Sequence, residues 1–336
     1  MTRSKKLMIG GIVVLLLLGT LSAVLNKKYD IQYVATLNAP VNVVYNALND
    51  LKHQSRWNSK ARLDTSFQLL CAGSSTQTGA SCDYSSKIYG NGILRILSAN
   101  NKDSIVITDE IVDGKDKTFG YHLAGKDSLT TTVTVRATGH AGFISNLWNY
   151  IHKWKLKKQT QHNVENLHAF VTERYKDKIY NGFKISEIAL NQRFFITSRS
   201  EVAIENIQQY YSQNISGLYQ KALDNKIVVT GMPCALFYKW DENTKKSDMA
   251  AALPTLAEMD VPGSEAVNIM PKLALKIEYK GEHSKTGIAH MAMDEYMLDH
   301  RLRNDIPVIE EYMTDPAKEP DPSLWVTNIY YYISPR

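Results

Sequence analysis

The chain has 336 residues, of which 44% are apolar and 22% are charged, and its formal net charge is +5. This length is sufficient for two domains of ordinary size, and the composition excludes a disordered or fibrous chain. A net charge this small gives by itself no indication of nucleic-acid binding.

Residues 1–28 are predicted to form a membrane anchor. Eighteen residues without a charge, Met8–Leu25, follow three basic residues, and this run is at the short end of a membrane-spanning helix. The alternative is a cleaved signal peptide, whose apolar core is usually about 7–15 residues long, but Leu21-Ser22-Ala23 is a poor cleavage site. We therefore expect a single-pass protein of the inner (plasma) membrane, with a lipid-bilayer contact through residues 8–25 and the bulk of the chain outside the cytoplasm.

A strand, a helix and a series of strands are predicted next. Residues 31–37 alternate like a strand. Asn38 as a cap and Pro40 in the first turn predict a helix that ends near Leu51, with Trp57 in the following loop. Six further strands are predicted at residues 67–71, 82–89, 92–98, 103–112, 118–123 and 130–137. Apolar residues at helical spacing, including Val164, Leu167, His168 and Val171, then predict a long helix over residues 159–175.

The three cysteines are Cys71, Cys82 and Cys234. Cys71 and Cys82 flank a turn-rich segment, so in an exported domain they are either a disulfide between neighbouring strands or two ordinary buried thiols. Cys234 has no evident partner. Because no cysteine and histidine residues have metal-ligand spacing, we predict neither a metal nor a cofactor.

Four lysines, at positions 153, 155, 157 and 158, lie beside Trp148, Tyr150 and Trp154. Such a run indicates either contact with an anionic membrane surface or a solvated helix face whose aromatic residues turn inward. We favour the solvated face.

The order of strand, helix, antiparallel strands and long helix is that of a helix-grip fold. With this order, the segment Ala39–Tyr45 and the downstream Trp57, residues 30–176 resemble the START-like (SRPBCC) superfamily in its polyketide-cyclase/dehydrase branch. The resemblance implies a hydrophobic cavity for lipid-like or polycyclic ligands, and it implies no catalysis.

The second half of the chain repeats one order of elements. The first copy has strands at 184–190 and 193–196, a helix that the capping box Ser198–Glu201 begins and that ends near Leu223, and strands at 227–230 and 233–240. The second copy has a strand at 273–279, a helix at 286–302 and strands at 307–313 and 326–333. The predicted fold class is therefore α+β, with two strand–helix–strand–strand repeats and a groove between them after the helix-grip domain.

Alternation in the strand 307–313 separates two adjacent carboxylates. Glu310 and Tyr312 share one face, and Glu311 points to the other. A carboxylate in a dry pocket attracts cations because screening by solvent is weak there. Two alternatives remain open, namely that Glu311 is the inward residue or that Glu310 pairs with a lysine.

Several segments of this half match one family in order. They are Gly231–Tyr238, Tyr279–His283, Ala289–His290 with Tyr296, Glu310–Pro316 and Thr327–Tyr330. Residues 183–336 thereby resemble the GyrI-like family, also called the bacterial transcription-activator effector-binding domain. The resemblance implies that Glu310 lies at the base of an aromatic-lined pocket that binds lipophilic cations. The other candidate ligand-binding residues are Tyr312, Tyr238, Trp240, Tyr279 and Tyr296.

These features predict a membrane-anchored protein that binds an amphiphilic or lipophilic cationic small molecule. The alternatives are a hydrolase that uses Glu310 and Tyr312, as some GyrI-like relatives do, and transfer of lipid-like ligands by the START-like domain. His283 stands where the family usually has tyrosine, which weakens the hydrolase alternative. With no candidate helix-turn-helix segment, no nucleic-acid partner is expected.

Overall fold

The computed structural model describes residues 11–14, 16–17, 19–20, 28–100, 102–112, 116–140 and 149–336. Its elements confirm the predicted α+β class. The chain divides into two compact units, unit 1 at residues 1–176 and unit 2 at residues 177–336. Among the described residues no helix is both long and apolar enough to cross a bilayer, and most of the predicted anchor at residues 8–25 lies outside them.

The described part of unit 1 contains an antiparallel sheet of seven strands. They are β1 Lys28–Leu37, β2 Gln68–Leu70, β3 Ser81–Ser85, β4 Gly92–Asn100, β5 Ser104–Ile111, β6 Lys117–Gly125 and β7 Thr131–His140. The order across the sheet is β1, β7, β6, β5, β4, β3, β2, so each strand from β2 to β7 pairs with its chain neighbour and β1 pairs with β7. Each strand predicted between residues 31 and 137 is present.

Four named helices accompany this sheet within the described residues. They are α1 Val41–Asn49, α2 Gln54–Trp57, α3 Ser59–Leu63 and α4 Asn149–Tyr175, with a 3-10 turn at Leu51–His53. Val164, Leu167 and Val171 of α4 are buried in one core with residues of α1 and the sheet. The long helix therefore packs its apolar stripe on the sheet, as a helix-grip arrangement requires.

Two predicted details of the helices are wrong. Helix α1 begins after Pro40, whose extended backbone precedes the first turn, so Asn38 is not its cap. Trp57 lies in α2 instead of a loop, where it is fully buried and its indole N–H donates to the Ala47 carbonyl oxygen at 3.3 Å.

Helix α4 also begins ten residues before its predicted start, with its lysine-rich part in its first turns. The four lysines are exposed. Trp154 is 48% exposed, and the Lys158 Nζ atom lies 4.4 Å from the centre of its ring. The expectation that Trp154 turns inward is thus wrong, while the positions of the Trp148 and Tyr150 side chains lie outside the described set.

Cys71, directly after β2, and Cys82, in β3, form a disulfide. Of the two alternatives left by the sequence, this is the one found. Cys234 is a free, buried thiol, and burial raises its pKa to about 12 although the Arg193 guanidinium opposes the shift. It therefore stays protonated and is unsuited to act as a nucleophile or metal ligand.

Replacing both Cys71 and Cys82 by serine is expected to lower the free energy of unfolding of unit 1 by about 2–3 kcal/mol, because the bond closes a loop of modest length. The wild-type protein with reductant should lose the same amount, while the double variant should not respond to reductant. Denaturant unfolding with and without dithiothreitol measures both effects. An equal response of the two proteins would contradict a structural role for the bond.

A polar cluster is enclosed in the core of unit 1. The Lys60 Nζ atom lies 2.6 Å from one oxygen of the Asp109 carboxylate and donates to the other at 2.9 Å. It also donates to the Tyr84 hydroxyl at 2.7 Å, and this hydroxyl donates to Asp109 at 2.8 Å. The Lys60 and Asp109 side chains are only 4% and 2% exposed. A methyl group on Gly92 would lie 2.4 Å from the Tyr84 hydroxyl, so a glycine is needed beside the cluster.

Residues 177–336 are all described and contain an eight-stranded antiparallel sheet and a two-stranded ribbon. The ribbon is β8 Ile179–Tyr180 and β9 Phe183–Lys184. The sheet strands are β10 Ser186–Leu190, β11 Arg193–Ala203, β12 Cys234–Asp241, β13 Lys246–Thr255, β14 Glu265–Ile269, β15 Lys272–Lys280, β16 Leu302–Tyr312 and β17 Val326–Pro335. The helices are α5 Ile207–Asp224 and α6 Gly287–His300, and 3-10 turns lie at Ile204–Asn206, His283–Lys285 and Pro322–Leu324.

The predicted order of elements occurs twice, as β11–α5–β12–β13 and β15–α6–β16–β17, but of the two strands after the helix in the first copy only β12 was predicted. The order across the sheet is β10, β15, β17, β16, β12, β13, β11, β14. From the centre of the sheet outward, the first copy runs β12, β13, β11 and the second runs β16, β17, β15. The copies therefore meet where β16 pairs with β12. Only two residues separate β10 from β11, although the strands lie near opposite ends of this order. The two edges must then be close together, so the sheet is curled.

The curl gives the sheet two different faces. On the helix face, α5 packs on Ile196 and Leu253 and α6 packs on Ile277 and Ile329. On the inner face, residues of both edge strands share one apolar cluster with Leu236 and Tyr330. Successive residues of a strand alternate between these faces.

Two predictions for unit 2 are corrected, and two strands of its sheet were missed. Ser198–Glu201 does not begin a helix but continues β11 opposite residues 248–251, where the Arg199 guanidinium forms two hydrogen bonds with the Asp248 carboxylate. Cross-strand pairing thus overrides the local capping pattern. The strand predicted at 227–230 is only a bridge between Val229 and Thr255, beyond the point where the pairing of β12 with β13 ends at Ala252. Strands β13 and β14 were not predicted.

Candidate functional site

Glu310 lies where the two repeats meet. Its strand partners are Ala235 of β12 and Ile329 of β17, and its side chain points to the helix face. The residue is 4% exposed. A buried carboxylate in this position requires hydrogen-bond donors to offset the loss of water.

Both oxygens of the Glu310 carboxylate have such a donor. The His290 Nε2 atom of α6 lies 2.6 Å from Oε1, and the Tyr312 hydroxyl donates to Oε2 at 2.8 Å. The His290 Nδ1 atom lies 3.0 Å from the Tyr331 hydroxyl of β17. The four side chains form one continuous chain of hydrogen bonds, Tyr331–His290–Glu310–Tyr312.

Aromatic rings from several elements surround this chain. Tyr211 of α5 packs edge-on against Tyr312, with 4.9 Å between ring centres. His283 packs edge-on against Tyr312 at 4.8 Å and stacks on Trp325 at 4.9 Å. Tyr211 comes from the first repeat and His290 from the second, so both repeats contribute to the site.

The surroundings keep these phenols neutral. Burial, followed by the charge of Glu310, raises the pKa of Tyr312 well above its ordinary value. Burial and then the charges of Asp294 and Glu310 raise the pKa of Tyr331 in the same direction. Residues 177–336 are all described, and among them His290 is the ion-pair partner of Glu310. No lysine or arginine of this unit lies within ion-pair distance of the Glu310 carboxylate. The site is thus a carboxylate among neutral aromatic side chains and imidazoles.

Glu311 has different surroundings on the inner face. The Arg193 Nη2 atom lies 2.8 Å from its Oε1 atom. The Tyr330 hydroxyl and the Asn328 amide donate to its Oε2 atom at 3.0 and 3.3 Å. Its charge is therefore matched within the fold by the Arg193 guanidinium, whereas the donors to Glu310 are an imidazole and a phenol.

The predicted wall residues do not lie together. Tyr238 is on the inner face, where the Arg199 Cζ atom lies 3.7 Å from the centre of the Tyr238 ring. Trp240 is half-exposed beside Phe237, with which it makes an edge-on contact at 6.1 Å. Tyr279 is buried beside Phe183, and Tyr296 is buried against Tyr180 with its hydroxyl bonded to Glu187. Of the predicted site residues, Tyr312 is the one that contacts Glu310.

Sequence reasoning missed His290, Tyr331 and Tyr211 as members of this site. His290 had a detectable signal, because it lies one and three residues from the buried Ala289 and Met293 on the sheet-facing side of α6. Tyr331 shares a face with Ile329 by alternation, and Ile329 pairs with Glu310. Tyr211 could not be placed, because the predicted helix began in what is a strand.

His283 is expected to make the stability of unit 2 depend on pH. Burial lowers its pKa from 6.5, although a bond to the Thr314 backbone and the charge of Glu310 oppose this. The unfolded chain therefore binds more protons than the folded one, so this contribution to stability is present above pH 6.5 and is lost as pH falls through the folded-state value.

Replacing His283 by phenylalanine keeps a ring between Trp325 and Tyr312 but removes the titrating group. The melting temperature of the variant relative to wild type should rise as the pH falls from about 7.5 to 5. Differential scanning fluorimetry in a pH series measures this difference. A difference that does not change with pH would show that His283 does not contribute.

Comparisons with known proteins give structural neighbours only. No protein-family model matches the chain, and no curated protein matches it. The C-terminal domain of EcmrR is 13% identical, over 46% of this chain and 99% of that one, with a TM-score of 0.42. EcmrR in its complex with DNA is 12% identical, over 58% of this chain and 73% of that one, with a TM-score of 0.44. The ZhuI aromatase/cyclase from Streptomyces sp. R1128 is 12% identical, over 44% of this chain and 95% of that one, with a TM-score of 0.35. The neighbours thus include a GyrI-like effector-binding domain and an SRPBCC-type cyclase, at low identity and over part of the chain.

Proposed function

We propose that unit 2 binds a lipophilic cationic small molecule, with Glu310 as the group that recognises the positive charge. The observation that carries this proposal is the buried Glu310 carboxylate, whose donors are an imidazole and a phenol instead of a lysine or arginine. A cation that reaches such a carboxylate gains an attraction that solvent screens only weakly. The resemblance of residues 183–336 to the GyrI-like family supports the same assignment.

The aromatic side chains around Glu310 fit a ligand of this class. Tyr312 bonds to the carboxylate and Tyr211 packs against Tyr312. Trp325 stacks on His283, which also packs against Tyr312. A cation over the face of such a ring gains roughly 0.5–2 kcal/mol. The apolar part of an amphiphilic ligand gains further from leaving water. A compact organic cation therefore suits the site better than an inorganic ion, which prefers several oxygen ligands.

Replacing Glu310 by glutamine is expected to weaken binding of a lipophilic cation at least about tenfold, because it removes the charge and keeps the shape. Tetraphenylphosphonium is a suitable probe, and isothermal titration calorimetry measures its affinity. Triphenylphosphine oxide, of similar size and no net charge, should show a much smaller difference between the two proteins.

Glu311 provides the matched control. The substitution Glu311→Gln makes the same change of net charge one residue away, but on the inner face beside Arg193. It should leave the affinity for tetraphenylphosphonium within about threefold of wild type, because a charge change off the site alters affinity little. Equal losses in both variants would indicate a general charge effect, and unchanged binding in Glu310→Gln would refute the proposal.

A hydrolase remains the second candidate, since the Tyr331–His290–Glu310–Tyr312 chain consists of groups that transfer protons in enzymes. The hydrolase reading predicts that an electrophilic ligand is consumed by wild type and not by Glu310→Gln. Following the ligand by mass spectrometry during the binding experiment separates the two candidates. Binding without turnover favours the recognition function.

We further propose that residues 8–25 attach the protein to the inner (plasma) membrane with its bulk outside the cytoplasm. The Cys71–Cys82 disulfide supports this location, because such bonds persist in oxidising compartments. A topology reporter fused after Lys28 tests it, and reporter activity on the cytoplasmic side would refute it.

A further inference from the structure

A cation cannot reach Glu310 without replacing a donor. One carboxylate oxygen is bonded to His290 and the other to Tyr312, and the residue is almost fully buried. A ligand that uses this carboxylate must therefore displace one of the two side chains. This step rests on the proposed function of the site.

The two donors differ in their freedom to leave. The Tyr312 ring lies between Tyr211 and His283, with edge-on contacts to both. The His290 side chain is 24% exposed, and its other nitrogen bonds to the Tyr331 hydroxyl. Movement of His290 disturbs one tilted ring contact, with Tyr331 at 5.8 Å, whereas movement of Tyr312 disturbs two closer ones. His290 is therefore the donor that a ligand displaces.

Displacement of His290 has an electrostatic consequence. When its imidazole is protonated, His290 is a counter-ion of Glu310, and the pair has no net charge. A bound cation takes over that role, so an imidazolium left beside it would be a second positive charge facing one carboxylate. Like charges at such distances in a poorly screened site repel strongly.

We propose that His290 is a protonated counter-ion which a cationic ligand replaces, so that ligand binding releases one proton from the imidazole to solvent. The Nε2–Glu310 contact breaks, the cation takes its place, and the proton passes to water through the exposed side of the ring. The charge of the site is then the same before and after binding. Affinity for cations should consequently rise as the pH is raised, because a neutral imidazole no longer competes with the cation for Glu310.

The charged and titratable groups around His290 come from α6, β16, β17 and the 3-10 turn before α6. Asp294 lies one turn further along α6, and its charge interacts with that of His290. Glu310 and Tyr312 lie on β16, and Tyr331 lies on β17. His283 is near Glu310 in the preceding turn. Asp294 is the group that opposes release, because its negative charge favours retention of the proton.

Calorimetry with tetraphenylphosphonium tests the inference, because this probe carries a fixed charge and no proton of its own. Titrations of the full-length protein at about pH 6 in buffers of different ionisation enthalpy give the number of protons released. Wild type should release a substantial fraction of one proton, and its affinity should increase by up to about tenfold per pH unit below the midpoint. In the Asp294→Asn variant His290 should release its proton more readily, because the negative charge that favours its retention is removed.

The substitution His290→Gln keeps a donor for Glu310 but removes the titrating ring. We expect this variant to release no proton, to lose the pH dependence and to bind the probe more tightly than wild type at pH 6. Should it fold poorly, the ring-proton chemical shift of His290 in wild type gives the same information. It should move from the imidazolium to the neutral value when the probe is added.

The outcomes separate this inference from the function on which it rests. Absence of probe binding at pH 8, where competition from protonated imidazole is smallest, would refute the proposed function and the inference with it. Binding without proton release across the pH range would overturn the inference alone. Release that persists unchanged in His290→Gln would also overturn it, because another group would then supply the proton.

Discussion

Replacing Asp109 by asparagine is expected to lower the free energy of unfolding of unit 1 by about 3–5 kcal/mol, since a buried charge loses its counter-charge. The Lys60 ammonium is almost fully buried and contacts both Asp109 oxygens. Its remaining bond, to the Tyr84 hydroxyl, is to a neutral group. Lys117 adds to the effect, because the charge of Asp109 also supports its protonation while burial lowers its pKa.

The adjacent residue provides the control for this prediction. Glu110 of β5 forms an ion pair with Arg95 at 3.0 Å, but both side chains are more than one-third exposed. The substitution Glu110→Gln should therefore cost at most about 1 kcal/mol. Hydrogen–deuterium exchange of the β5 and β6 amides reports on unit 1 separately from unit 2. Similar losses in both variants would contradict the distinction between the buried and the exposed pair.

A compensating double variant tests whether the cost arises from the stranded charge. Replacement of Lys60 by methionine and Asp109 by leucine removes both charges together. Since apolar replacement of a complete buried ion pair is often neutral or stabilising, we expect the double variant to be more stable than Asp109→Asn. A double variant as unstable as the single one would assign the loss to packing.

Local patterns predict the elements of this chain well where the chain pairs with its neighbours in sequence. The strands of unit 1 form a meander, so each alternating run followed by a turn is a real strand, and their order leads to the helix-grip layout. Ser198–Glu201 shows the limit of this reasoning. The segment has a helix-start pattern, but its backbone pairs with residues 248–251, about 50 positions away, and no local rule includes that partner.

The strand β13 was also missed because its conformation depends on the assembled sheet and not on its own sequence. Its central residues Ala250, Ala251 and Ala252 are all fully buried, since the strand has neighbours on both edges and packed layers on both faces. Alanine has a low strand propensity and a high helix propensity. A small side chain is favoured there by close packing across the sheet, which is a property of the assembled fold and not of the segment.

The sequence predicts that the two glutamates point to opposite faces of the sheet, but it does not predict which residues bond to each of them. Alternation places Glu310 and Glu311 on opposite faces, and the structure has them so. Which face holds a compensating cation depends on Arg193, over 100 residues earlier in the chain. The Lys60–Asp109 pair, with 49 positions between its members, is equally hidden from any sequence window. The family resemblance implied aromatic surroundings, but only the register separates Tyr331 near Glu310 from Tyr330 near Glu311.

Replacing Arg193 by methionine is expected to lower the free energy of unfolding of unit 2 by about 3 kcal/mol and to leave cation binding intact. The Arg193 and Glu311 side chains are 18% and 13% exposed, so the stranded Glu311 charge keeps only the Tyr330 and Asn328 donors. Glu310→Gln should show the reverse pattern, with stability within about 1 kcal/mol of wild type and weakened binding, because a residue kept for recognition contributes little to stability.

Hydrogen–deuterium exchange of the β12, β16 and β17 amides measures the stability of unit 2. Calorimetry with tetraphenylphosphonium measures the affinity for the cation. Two neighbouring residues of one strand would then have separate roles, Glu311 in the fold and Glu310 in recognition. The opposite result, in which Arg193→Met abolishes binding at unchanged stability, would place the cation site on the inner face. The physical reason for expecting the first result is that Arg193 already supplies a full positive charge to Glu311, whereas in unit 2 Glu310 has a titratable imidazole, which a cation is able to replace.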